Sequence, residues 1–142
     1  RLVFSPDGRS LAFAASKNGR WFVLRDGRRV GGTFDAVGSP VFQPDGRELA
    51  FPACKGRKWF LTRDGVKVGD EYDRVDGALY SNDGRSIAFR AENEGKWFVV
   101  KAGTKASDLF DELSPLRTSK DGARLLFAGC RGGTTVRGSI PW

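Results

Sequence analysis

The strongest constraint in this sequence is an internal period of 38 residues. Ser5-Pro6-Asp7-Gly8 returns as Gln43-Pro44-Asp45-Gly46, then as Ser81-Asn82-Asp83-Gly84 and Ser119-Lys120-Asp121-Gly122. Trp21-Phe22, Trp59-Phe60 and Trp97-Phe98 keep the same step, as do Phe34-Asp35, Tyr72-Asp73 and Phe110-Asp111. Aligned without a gap, residues 3–40 and 41–78 agree at 20 of 38 positions. A period of this size belongs to arrays of small supersecondary units. Each unit is too small to bury its own apolar surface and stacks on its neighbours instead.

The punctuation inside one unit is that of β-structure. Val3-Phe4 leads into Pro6-Asp7-Gly8, where Pro and Gly suit the successive positions of a tight turn. Residues 10–15 alternate Leu11 and Phe13 with Ala12 and Ala14. Asn18-Gly19 and Asp26-Gly27 are two-residue hairpin turns, and residues 20–25 between them are rich in aromatic and branched side chains. Residues 29–34 make a weaker fourth strand, and residues 35–40 read as the connection to the next unit. No stretch has helical period. Trp21-Phe22-Val23-Leu24 is apolar on both faces, as expected of a sheet sandwiched between two others. Four short antiparallel strands every 38 residues predict an all-β fold built from β-propeller blades. The blades fall at about 3–40, 41–78, 79–116 and an incomplete 117–142, in a single, partial propeller domain of about 3.7 blades.

With those residues in view, the unit VFSPDGRSLAF…GRWFVLRDG resembles the WD-repeat-like blades of TolB-type propellers, whose hallmark is Ser-Pro-Asp-Gly followed by a Leu-Ala-Phe strand. The resemblance covers residues 3–116 and part of a fourth repeat. It implies architecture rather than one function, because families with this blade include periplasmic translocation accessories and the N-terminal propellers of serine peptidases. Arg25-Asp26, Arg63-Asp64 and Lys101-Ala102 stand where the Trp-Asp dipeptide of eukaryotic repeats would be.

The fourth repeat departs from the pattern. Leu125-Leu126-Phe127 is in register, but Thr135-Val136-Arg137 replaces the Trp-Phe-Val strand, Arg117-Thr118 replaces Leu79-Tyr80, and the chain stops before a fourth strand. The chain is therefore expected to be a piece of a longer propeller or to self-associate, two copies closing a seven- or eight-bladed ring. With no methionine present, Arg1 is not a translation start, so the N-terminus is processed, truncated or left out.

Composition narrows the chemistry. There is no histidine, which removes His-based acid–base catalysis, Ser-His-Asp and Cys-His pairs and the commonest metal ligand. No Gly-x-Ser-x-Gly elbow occurs either. Asp7, Asp45, Asp83 and Asp121 read as turn formers. Asp35, Asp73 and Asp111 come one to a blade, whereas a calcium site needs about six to eight converging oxygens. The expectation is no enzyme, no cofactor and no metal. No apolar run approaches the roughly 18 residues of a membrane helix, so no membrane insertion is expected.

The net charge is +7, from 24 Lys and Arg against 17 Asp and Glu. The turns on one end of the blades collect the cations, and Arg25, Arg28, Arg29, Arg63, Lys67, Lys101 and Lys105 are the candidate partner-binding residues. Trp21, Trp59, Trp97, Phe13, Phe51 and Phe89 are assigned to packing between blades, and Trp142 to capping an exposed face. The functional expectation is a non-catalytic scaffold for a protein partner. The alternative is an anionic ligand, glycan or nucleic acid, on the Arg-rich turns. Cys54 and Cys130 lie two repeats apart, too far for a disulfide, and are expected to be free thiols. Free thiols lean towards the cytoplasm and the resemblance towards the periplasm, so both compartments stay open.

Overall fold

The computed structural model describes residues 2–142, and among them every regular element is a β-strand. The strands form four antiparallel sheets in chain order. The first contains Leu2–Phe4, Leu11–Lys17, Arg20–Arg25 and Arg28–Arg29, each beside the next. In the third, Arg74–Tyr80, Ile87–Asn93, Lys96–Lys101 and Thr104–Lys105 repeat that order. The second runs through Leu49–Lys55, Lys58–Arg63 and Val66–Tyr72. The fourth holds Arg124–Arg131 and Thr134–Pro141, and no described strand lies beyond the latter. Hairpin turns close as their residues require. Asn18-Gly19 and Asp26-Gly27 take positive φ at both positions, 53° and 77°, then 50° and 82°. That is the twist a two-residue connection needs between right-handed strands.

One boundary differs from the sequence reading. Residues 35–40 are not only a connection: they open the first strand of the next sheet. Ala36–Val37 and Val41–Phe42 both pair with Leu49–Lys55, on either side of a break at residues 38–40. Glu112–Leu113 and Arg117–Thr118 do the same on Arg124–Arg131. In the third sheet the equivalent strand is unbroken, with a register shift between Asp76 and Leu79. Sheets therefore change over near residues 35, 73 and 111. Pro40 and Pro115 each sit in the break, where no ladder donor is needed.

The chain divides into two compact units, one ending at Glu71 and the other starting at Tyr72. In the first, Phe42, Leu49, Phe51, Ala53 and Phe60 of the second sheet bury themselves with Ala12 and Val23 of the first, and Val3, Val30 and Val37 complete the cluster. The second unit gathers Leu113, Leu125 and Phe127 of the fourth sheet with Ala88 and Val99 of the third, closed by Val136, Ile140 and Trp142.

An aromatic residue couples the sheets of each unit. Phe34 exchanges two 2.8 Å backbone bonds with Trp21 in the first sheet. Its ring stands edge-on to Phe51 and Phe60 of the second sheet, at 5.9 and 6.1 Å. Phe110 is likewise bonded to Trp97 through its backbone and rests its ring on Phe127 at 6.1 Å. Such pairs add roughly 0.5–1.5 kcal/mol beyond the area they bury.

Phe51 and Phe89 are core residues, 0% and 4% exposed. Phe13, Trp59 and Trp97 are half-buried, whereas Trp21 is exposed. The packing assignment therefore needs correction at Trp21. Its position opens a strand whose burial begins only two residues later, at Val23.

Candidate functional site

The periodic carboxylates serve the turns. Asp7 accepts hydrogen bonds from the Ser5 hydroxyl at 2.6 Å and the Arg9 amide at 3.0 Å, and Ser5 Oγ in turn accepts from the Ser10 amide at 2.9 Å. Asp83 and Asp121 repeat this with Ser81 and Ser119. The serine hydroxyl first, then the backbone amide, holds all three carboxyls below the usual aspartate range. Gln43 replaces that serine in the second blade, where Asp45 still accepts from the Arg47 amide at 2.9 Å.

On the same end of the blades, six of the seven candidate cations have structural partners. Arg25 donates to the Gly46 and Arg47 carbonyls at 2.6 and 2.8 Å, tying the first blade to the first turn of the second. Arg63 pairs with Glu48 at 2.6 Å, and Lys101 donates to the Pro141 carbonyl at 2.7 Å. Arg29 lies 4.3 Å from the centroid of Phe22, and Lys105 5.7 Å from that of Phe98. Lys67 pairs with Glu71 at 2.6 Å and covers Phe60 at 5.5 Å. Arg28 is exposed and forms no ion pair among the described residues. Beside these cations Val66 is 67% exposed, an apolar side chain in the equivalent turn of the second blade.

At the opposite end the connection aspartates are clasps. Asp35 pairs with Arg20 of the first blade and accepts from the Gly56 amide of the second at 2.8 Å. Asp111 pairs with Lys96 of the third blade and accepts from the Gly132 amide of the fourth at 3.0 Å. The lysine, then that amide, holds the Asp111 carboxyl below its ordinary value. Asp73 accepts from the Glu94 amide at 2.8 Å. These oxygens are therefore engaged by amides and cations of the blades themselves.

Sequence reasoning missed two features. Arg90 donates to Asp76 at 2.5 Å and to the Leu113 carbonyl at 2.6 Å, and lies 5.5 Å from the Trp97 centroid. The available signal was a break in the repeat, since Ala14, Pro52 and Ala128 hold that position elsewhere. The second is a cleft of about 870 Å³ on the fourth sheet, with Arg117, Lys120 and Arg137 around its rim. Trp142 packs into the second unit's core, its indole N–H directed at Thr118 Oγ1 at 3.3 Å. Cys54 and Cys130 are both free; burial, first of all, raises the Cys54 thiol above its ordinary value.

Solved structures share this fold. TolB from Acinetobacter baumannii superposes on 99% of the chain with a TM-score of 0.65 at 20% identity, the chain spanning 40% of TolB. The β-propeller domain of the Trilobed protease from Pyrococcus furiosus gives a TM-score of 0.65 at 14% identity, over 99% of this chain and 53% of that one. The Dos1 propeller gives 0.58 at 12%, over 97% and 40%. The chain has the β-propeller fold and spans about half the length of these neighbours or less. No protein-family model matches the sequence, and no curated protein matches it.

Proposed function

We propose that the chain is a non-catalytic β-propeller scaffold that binds a protein partner through the turns at one end of its blades. The observation that carries this reading is a constant frame with variable tips. Asp26 and Asp64 accept the same hydrogen bond in the first two blades and Ala102 keeps the same left-handed turn in the third, while the exposed residues beyond them differ from blade to blade: Arg28-Arg29, Val66-Lys67 and Thr104-Lys105. An exposed Val66 among cations suits a protein surface, whose contact core is apolar and whose rim is polar. Photo-crosslinking from position 66, compared with position 17 at the other end, tests it in native extract. A discrete protein adduct is expected from 66 alone, lost in Arg28→Glu; equal adducts from both positions would overturn it.

An anionic ligand on the same turns is the second reading, favoured by the unpaired Arg28. Binding of a heparin fragment should then fall steeply with salt and vanish in an Arg28→Glu, Arg63→Glu double variant. A flat response to both would sink that reading.

A further inference from the structure

The fourth sheet breaks the repeat on one face in a directed way. Residues opposite each other in an antiparallel ladder share a face. Arg117, Leu126 and Ser139 therefore form one row, and Ala128 with Arg137 the next. This face is turned away from the Phe127 core, which uses the alternate residues. Arg117 stands where the other blades carry Val3, Val41 and Leu79; Arg137 stands where they carry Val23, Leu61 and Val99. Leu126 replaces Ala12, Ala50 and Ala88. In the first unit, Ala12 and Val23 are fully buried in the cluster that holds Phe42, Phe51 and Phe60. With arginine at both aliphatic positions, an aromatic blade surface packed on this face would bury two charges that no described residue pairs.

What the face does offer is an open cleft of about 870 Å³ with an apolar floor and a cationic rim. Leu126 is 37% exposed at its centre. Arg117, Lys120 and Arg137 are exposed and make no ion pair with the described residues. The nearby Asp121 is held by Ser119 and the Ala123 amide, and Glu112 lies at the far end of the face, opposite Cys130. Two strand spacings separate the arginines across the sheet and two residues along it, which puts their Cα atoms about 12 Å apart. In an extended chain, residues i and i+4 lie about 13 Å apart on one face, with i+2 between them.

We infer that this face binds an acidic protein segment in extended form, with carboxylates at i and i+4 reaching Arg117 and Arg137 and an apolar side chain at i+2 covering Leu126. Leu126 and Ala128 present aliphatic surface rather than the aromatic platform on which nucleic-acid bases stack, so the floor favours polypeptide over nucleic acid.

The probe is a fluorescein-labelled peptide containing Glu-Thr-Leu-Thr-Glu, titrated into the whole chain, with amide chemical shifts mapping its position on the unmodified protein. Saturable binding is expected with shifts on the Arg117–Leu126–Arg137 face. An Arg117→Gln, Arg137→Gln double variant should bind at least tenfold more weakly, Lys17→Gln, at an exposed position, should bind as before, and a peptide with Lys for Glu should not bind. Absence of saturable binding, shifts centred elsewhere, an unaffected double variant, or tighter binding of an oligothymidine would each overturn the inference. Because the mapping uses the unmodified chain, a variant that fails to fold leaves the test decisive.

Discussion

Ala102 occupies a left-handed turn position, φ 51°, that Asp26 and Asp64 fill in the first two blades at 50° and 48°. Those aspartates accept from the amides of Leu11 and Leu49 at 2.9 and 3.0 Å, while their own amides donate back to the same residues. At Ala102 only the backbone half survives, a 3.1 Å bond to the Ile87 carbonyl, and a methyl group offers the Ile87 amide nothing. Ala102→Asp should therefore stabilise the chain by about 0.5–1.5 kcal/mol. The readout is a higher urea midpoint at unchanged slope; a lower midpoint would show that the turn has another constraint. Turn residues of this kind were legible in the sequence because their bonds are local. The bonds of Arg25 were not, since its acceptors lie 21 and 22 residues on, a distance over which no periodicity speaks.

Among the elements, the longer hairpins could be read from alternation and turn chemistry, but two-residue pieces such as Ala36–Val37 are too short to show a period. Nor does periodicity reveal how an aromatic ring settles. Phe34 and Tyr72 each rest on two rings, Phe51 with Phe60 and Phe89 with Phe98, and Ala53 and Ala91 occupy the neighbouring position. In the fourth blade the second ring is replaced by Val136, and Phe110 settles against Gly129, where a methyl group would overlap it. Gly129→Ala is expected to cost about 1–3 kcal/mol through overpacking. Adding Phe110→Leu should recover much of that loss, a non-additivity measurable in thermal or urea unfolding. Strict additivity would mean that the ring and the glycine do not compete for one space.

For the whole molecule, the first sheet sets the expectation. Leu2 and Phe4 are 62% and 63% exposed on it, whereas Phe42, one repeat on, is 7% exposed in the core shared with the first sheet. Exposed apolar area of that kind promotes association, and we propose that a second copy covers it. Closing a ring head-to-tail would set this face, with its exposed Arg29, against Arg117 and Arg137 of the fourth sheet. That junction would set charged side chains on the Leu2 and Phe4 surface, so the first sheets of two copies, apolar against apolar, are the better match. Light scattering should give a mass near twice 15.6 kDa, and Phe4→Glu should return it to one chain. A wild-type monomer at micromolar concentration would refute this. The basic composition, legible from the start, said nothing of which face would associate, because that depends on single substitutions such as Val99 to Arg137 set within the repeat.

The double membership of Phe34 and Phe110, backbone in one sheet and ring in the next, bears on how such chains lengthen. A segment copied from one aromatic to the next, about one period long, would bring with it both the plug for the following blade and the socket for the preceding one. Duplication or loss of a whole period would then leave each new junction already matched, whereas an insertion of any other length would leave a ring without its seat.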